Sequence, residues 1–117
     1  MISIINSSLS GLSAFTRKMR VVSNNIANVN TDGYKKRRAL FSEGANGGVD
    51  VTVTRIDSPG PPILDAKDYP MVEKEMSNVD LTEEIPQMML SQRGYEANLK
   101  TLKIQDEMIG ALLDVRG

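Results

Sequence analysis

Apolar residues recur every seven positions at both ends of the chain, and this spacing constrains the fold more than any other feature. Near the N-terminus two interleaved rows lie three and four residues apart: Ile5, Leu12, Met19 and Ile26, and Met1, Ser8, Phe15, Val22 and Val29. Only Ser8 in these rows is polar. Such spacing puts both rows on one narrow stripe of an α-helix, as in a coiled coil. The segment is therefore predicted to be a helix that pairs lengthwise with another helix.

A second pair of rows lies near the C-terminus. Its members are Leu81, Met88, Tyr95, Leu102 and Ile109, and Ile85, Gln92, Leu99, Asp106 and Leu113. Asp80 followed three residues later by Glu83 is typical of a capping box that opens a helix. Pro86 lacks a backbone N–H, so either the first turn is irregular or the helix begins nearer Ile85. The two helices are predicted over roughly 3–29 and 81–114, by periodicity and capping signals.

The middle of the chain has the alternation of a half-buried strand. Valines alternate with polar residues from Val49 to Ile56, and a partner strand is predicted from Tyr34 to Phe41, with a turn around 42–48. The Pro-rich stretch 58–62 is predicted to be a connector. The fold class is mainly α: long N- and C-terminal helices paired as a coiled-coil or helical hairpin, with a small β hairpin at its far end. The chain is predicted to be one module, divided into 1–30, 31–76 and 77–117.

Composition closes most catalytic routes. The chain has no cysteine and no histidine, which excludes disulfides, imidazole catalysis and zinc sites of the usual ligand set. We expect no cofactor, no metal and no enzymatic activity. Residues 1–43 carry seven Lys/Arg and two Asp/Glu, whereas residues 44–117 carry seven and thirteen, so opposite parts of the chain, or of neighbouring copies, are expected to attract each other.

The N-terminus has no basic segment followed by a long apolar run. No stretch reaches the roughly 18 apolar residues of a spanning helix. We therefore expect neither a cleavable secretory signal nor membrane insertion.

The run from Ser23 to Tyr34 is the most specific motif. Its sequence is Ser-Asn-Asn-Ile-Ala-Asn-Val-Asn-Thr-Asp-Gly-Tyr. Structurally it is an asparagine-rich helix end followed by an Asp-Gly turn, and its amides carry both donors and acceptors suited to contacts between subunits. The run resembles the N-terminal signature of the flagellar axial proteins, the rod and hook family.

A second motif lies at the other end, in residues 77–84 and 92–98. The latter reads Gln-Arg-Gly-Tyr-Glu-Ala-Asn and resembles the C-terminal signature of the same family, which usually has alanine where this chain has Gly94. Glycine costs about 1 kcal/mol of helix propensity there. Pro86 also stands where the family keeps a helix former. The short middle segment is most similar to the proximal-rod protein C branch, whereas the C-terminal sequence motif is nearer to distal-rod types.

The resemblance implies a structural subunit of the bacterial flagellar basal-body rod. Such a subunit assembles with itself and with other axial proteins in the periplasmic space. It leaves the cytoplasm through the flagellar type III export apparatus, without a cleaved signal peptide. We expect no nucleic acid and no small-molecule substrate as partners. The predicted assembly interface comprises Ile5, Leu12, Phe15, Met19, Val22, Asn24, Asn25, Ile26, Asn28, Met88, Tyr95, Asn98, Leu99, Leu102 and Ile109.

Three other functions compete with this interpretation. The run Lys35-Lys36-Arg37-Arg38 has the charge of a nucleic-acid-binding patch. Against this, the rest of the chain is acidic and only Tyr34 offers an aromatic ring beside the run. An enzyme would need a pocket with clustered polar groups, for which so thin a fold has little room. A helical oligomer or adaptor without flagellar incorporation would keep the same fold.

Overall fold

Two long helices dominate the fold, as predicted. The computed structural model describes residues 2–45, 47–64 and 73–116. Its elements are α1 (Ile2–Ala27), β1 (Arg37–Glu43), β2 (Val49–Arg55), β3 (Pro62–Leu64), β4 (Glu73–Glu75) and α2 (Leu81–Arg116). The mainly α fold class with paired helices and a small β hairpin is confirmed.

The two helices run antiparallel along each other. Gly11 lies against Asn98 and Phe15 against Gly94, so four residues forward on α1 correspond to four residues back on α2. The start of α1 and the C-terminal part of α2 therefore lie at the same end, as expected. The molecule is elongated, with principal extents of 81 × 25 × 16 Å.

Local side-chain bonds define where the helices end. The Asn28 amide donates to the Asn24 carbonyl at 2.8 Å at the end of α1. At the start of α2, the Asp80 carboxylate accepts from the backbone N–H and the hydroxyl of Thr82, at 3.0 and 2.7 Å. α2 begins at Leu81, within the predicted window, and continues through Pro86. The helix thus tolerates a residue that cannot donate to the carbonyl four positions earlier.

The β1–β2 hairpin lies along α1. Its strands pair antiparallel from Arg37↔Arg55 to Glu43↔Val49. Near the turn, the Val49 N–H donates to the Ser10 hydroxyl at 2.9 Å. The expectation that the hairpin lies at the far end of the helix pair is therefore wrong. The hairpin folds back because one of its faces needs an apolar partner: the Phe41 ring meets the Phe15 ring edge-to-face at 5.2 Å.

The connector contains a second, smaller ladder that the sequence did not predict. β3 pairs antiparallel with β4, in the register Pro62↔Glu75 to Leu64↔Glu73. Proline is tolerated as the first residue of such an edge strand. Gly60 is buried against the Met76 carbonyl and has no room for a side chain. The connector thus forms a short ladder next to the start of α2; residues 65–72 lie outside the described residues.

Candidate assembly surfaces

The predicted rows on α1 are withdrawn from solvent. All of their interface members are at least partly buried: Ile5, Leu12, Phe15, Met19, Val22 and Ile26. On α2, the row of Met88, Tyr95, Leu102 and Ile109 is likewise partly buried. The contact of Phe15 with Gly94 places the first of these helices against the second.

The second predicted row on α2 points away from α1. Ile85, Leu99 and Leu113 are 49, 44 and 67% exposed, so their prediction as part of the intrachain seam is wrong. A polar row one residue earlier takes the inner position. Its members are Glu84, Ser91, Asn98 and Gln105. Hydrophobicity alone could not find them, although their seven-residue spacing is visible in the sequence.

Two side chains on this row allow the helices to approach closely, because they are small or form hydrogen bonds within their own helix. The Ser91 hydroxyl donates to the Gln87 carbonyl at 2.7 Å, and the Asn98 amide donates to the Gly94 carbonyl at 3.0 Å. The Phe15 ring occupies the space that a side chain at position 94 would need. The partly buried Asn98 thus contributes to helix packing within the chain.

The asparagines at the end of α1 divide into an internal and an external set. Asn25 is fully buried: its amide donates to the Arg37 carbonyl at 2.8 Å, and its oxygen accepts from Arg37 N–H and the Tyr34 hydroxyl. Its predicted role as an exposed assembly amide is wrong, since it fastens the base of the hairpin to α1. Asn24 is exposed and Asn28 partly exposed. Only these two amides of the run's predicted interface set are open to a neighbouring subunit.

Most of the basic run is neutralised within the chain. Lys35 pairs with Glu75 at 2.7 Å, and Lys36 pairs with Glu83 at 3.0 Å. Arg38 Nη2 also lies 2.6 Å from Glu83. The expected attraction between the basic run and the acidic C-terminal half therefore occurs inside one molecule. A nucleic-acid phosphate would have to displace these carboxylates, which weakens that alternative.

Two carboxyl groups at the start of α2 titrate below their usual range. A hydrogen bond from Lys36, aided by the charge of Arg38, lowers the pKa of Glu83. Hydrogen bonds from the Thr82 hydroxyl and N–H lower the pKa of Asp80. Both groups therefore favour the folded chain most when they are ionised.

Glu84 is an unusual neighbour of this cluster. Its side chain is fully buried, and neither carboxylate oxygen accepts a hydrogen bond from a described residue. Arg38 Nη1 lies 3.8 Å from its Oε1. A buried carboxylate with so little compensation costs stability.

Comparison with known proteins identifies the family of these paired helices. Residues 74–115 match the family described as "Flagellar basal body rod FlgEFG protein C-terminal", and residues 5–35 match "Flagella basal body rod protein". The flagellar basal-body rod protein FlgC of Yersinia enterocolitica is 31% identical over 112 residues, covering 80% of this chain and 81% of that protein. The chain belongs to the flagellar basal-body rod protein family.

Other relatives share only part of their length with this rod-family chain. FlgG, a basal-body rod protein of Bacillus subtilis, is 34% identical over 88 residues, which is 74% of this chain and 31% of FlgG. The hook protein FlgE of Escherichia coli is 43% identical over 42 residues, 36% of this chain and 10% of FlgE. The chain thus spans about a tenth of the length of this hook protein and about a third of FlgG.

The two family segments coincide with the helical part of the structure. Residues 5–35 contain nearly all of α1 and the turn after it, and 74–115 contain most of α2. The β1–β2 hairpin lies between them, outside both matches. The FlgC match over most of the chain and the FlgEFG match at the C-terminus agree with the mixed branch features of the sequence.

The rod-family helices leave much apolar surface uncovered. On α2 the exposed apolar residues are Leu81, Ile85, Met89, Leu90, Leu99, Ile104, Met108, Leu112 and Leu113. No helix in the described ranges is long and apolar enough to cross a bilayer. Within the same ranges no cluster of three or more acidic side chains could hold a metal ion. Exposed apolar surface of this kind is typical of contacts with other proteins.

Proposed function

We propose that this chain is a structural subunit of the flagellar basal-body rod that assembles with itself and other axial proteins through its terminal helices. The observation that carries the proposal is the exposed apolar outer face of α2 in a rod-family helix pair. Ile85 and Leu99 belong to a seven-residue row, yet this row faces away from α1. A helix with a second apolar row packs against a second partner.

The mechanism of such a subunit is mechanical. α1 and the inner face of α2 hold each chain together as a rod 81 Å long, and the outer face of α2 packs against neighbouring chains. Exposed Asn24 and partly exposed Asn28 add hydrogen bonds at the edge of this contact between chains. Many parallel contacts of this kind give a tube that transmits torque. We further propose that the chain reaches this site through the flagellar type III export apparatus without a cleaved signal, and that its function involves no catalysis.

A matched pair of leucines tests the contact. Leu99→Ser removes an exposed side chain on the outer face, whereas Leu102→Ser removes a partly buried one on the inner face. We expect Leu99→Ser to leave the free energy of unfolding of the monomer within about 0.5 kcal/mol of the parent and yet prevent incorporation into purified basal bodies. Leu102→Ser is expected to destabilise the monomer by about 2 kcal/mol or more. Normal incorporation of Leu99→Ser would contradict the assigned surface.

Deletion of the gene tests the function itself. We expect a deletion strain to lack motility and filaments, and to regain both with the parent gene. The chain should be found in purified basal bodies and should fail to leave cells whose flagellar export gate is inactive. A motile deletion strain would instead support a helical oligomer or adaptor without flagellar incorporation.

A further inference from the structure

A basic groove lies where the end of α1 meets the base of the β1–β2 hairpin. Two adjoining cavities of about 410 and 240 Å³ share Asn24, Tyr34 and Arg37 as lining residues. Arg17 and Arg20 extend the lining along α1. No carboxylate is among the residues that line either cavity. We call these five residues the basic groove.

Part of the charge in this groove is not neutralised by its own chain. Lys35 and Arg55, at the edge of the larger cavity, pair with Glu75 and Asp57. By contrast, the described residues offer no ion pair to the side chain of Arg20 or Arg37. The groove therefore presents guanidinium donors together with the exposed amide of Asn24, a combination that fits carboxylates.

An acidic face with the matching chemistry lies on the C-terminal part of α2. Glu107, Gly110 and Asp114 follow each other at spacings of three and four, so they share one side of the helix. All three are exposed, and neither carboxylate forms an ion pair among the described residues. A Cβ on Gly110 would meet no atom within 4 Å, so a partner can approach the backbone there. We call these three residues the acidic face.

We propose that the basic groove of one copy receives the acidic face of a second copy. The inference rests on the proposed assembly function and assigns one of its contacts. The chain's own acidic face cannot reach the groove. The helix register places Arg20 opposite Met89, and Glu107 lies 18 residues further along the same continuous helix, about 27 Å away. The groove and the face are different patches, so the contact is head-to-tail and builds either a closed ring or an open helical array.

Charge complementarity makes this contact sensitive to salt. Raising the ionic strength from about 0.1 M to about 1 M shortens the Debye length from about 10 Å to about 3 Å. Association through the basic groove should therefore weaken over this range, whereas packing of apolar faces should not.

Disulfide cross-linking tests the contact, because the chain has no cysteine of its own. In an equal mixture of Asn24→Cys and Gly110→Cys chains we expect mixed dimers at low salt. A chain that carries both substitutions should form a ladder of higher oligomers. Arg93→Cys mixed with Gly110→Cys serves as the control, since Arg93 is exposed on α2 and lines neither cavity of the groove. A yield no higher than that of the control, or dimers between identical variants alone, would overturn the proposal.

Charge reversal tests the chemistry. Arg20→Glu with Arg37→Glu should reduce the mixed cross-link to the control yield, whereas Arg93→Glu should leave it unchanged. Adding Glu107→Lys and Asp114→Lys to the Gly110→Cys chain, opposite the reversed groove of the Asn24→Cys chain, should restore the cross-link. If the reversed groove instead loses retention on a single-stranded DNA column while cross-linking persists, the groove binds a nucleic acid and the proposal is wrong.

Motility separates this proposal from the proposed function. A motile deletion strain would refute the rod function. The groove contact alone would be refuted if the deletion strain is non-motile but the Arg20→Glu/Arg37→Glu chain restores full motility without the Asn24–Gly110 link in basal bodies. Loss of motility in the reversed chain and recovery in the fully swapped chain are the expected results.

Discussion

The contact between Phe15 and Gly94 predicts opposite effects for the same substitution at two glycines of α2. Gly94→Ala and Gly110→Ala each replace a helix-interior glycine, which by propensity alone stabilises the helix by about 1 kcal/mol. At position 110 the new methyl group meets open space. At position 94 it overlaps the ring of Phe15, the nearest neighbour of the site.

The size of the difference follows from the packing. Inserting a methyl group into an occupied site costs about 1–3 kcal/mol. Gly110→Ala should therefore raise the free energy of unfolding by about 1 kcal/mol, whereas Gly94→Ala should lower it by up to about 2 kcal/mol. The Phe15 ring is held by its edge-to-face contact with Phe41, so it cannot simply turn aside.

Urea unfolding of dilute monomer, followed by circular dichroism at the helix band, measures both changes. Phe15→Leu alone and Phe15→Leu with Gly94→Ala complete a double-mutant cycle. We expect the smaller side chain to relieve the overlap, so that Gly94→Ala becomes stabilising in the Phe15→Leu background. Equal stabilisation by Gly94→Ala and Gly110→Ala in the parent would refute the assigned helix register.

Four further substitutions, with Asn24→Ala as a control, address the polar contacts. Asn25→Ala leaves the groups at the hairpin base unpaired and should cost about 2 kcal/mol or more in urea unfolding, whereas the exposed control Asn24→Ala should change little. Glu83→Gln tests pH dependence: because the pKa of Glu83 is lowered in the folded chain, its stabilisation is present above the unfolded pKa of about 4.3 and is lost as the pH falls through the folded value. The urea midpoint should thus fall less between pH 7 and acid in Glu83→Gln than in the parent. Glu84→Leu should raise the thermal midpoint and increase the free energy of unfolding by about 1–4 kcal/mol. Arg38→Met should lower the midpoint, because it removes the cation nearest to the buried Glu84 carboxylate. Unchanged midpoints would contradict the burial of Glu84.

The sequence predicted the helices well because local signals dominate there. α1 has one apolar stripe, and the predicted interface members of its rows are at least partly buried. α2 has apolar residues around its circumference, so the sequence could not decide which row packs inward. The Met88 row is partly buried, as predicted, but the second buried row of α2 is the Glu84 row and not the Ile85 row. The choice depends on close approach at Gly94, which is a tertiary effect.

The position of the hairpin shows the same limit. Alternating valines predicted β2, whereas the partner strand predicted from Tyr34 to Phe41 begins at Arg37 and extends to Glu43. The direction in which the hairpin folds depends on long-range contacts, such as the Asn25 amide bridging to the Arg37 backbone. The asparagine run indicated the family, but its amides were predicted to contact other subunits. The fully buried amide instead forms hydrogen bonds within the chain.

The distribution of polarity on α2 links stability to assembly. The helix buries a row that includes Glu84 and Ser91 and exposes Ile85 and Leu99. In an isolated globular protein this arrangement is unfavourable on both sides, since buried charge costs free energy and exposed apolar area gains none. In the proposed array a neighbour covers each outer face, and burial of the exposed side chains offsets the cost of the inner row. Under this proposal the same residues destabilise the single chain and stabilise the assembled structure.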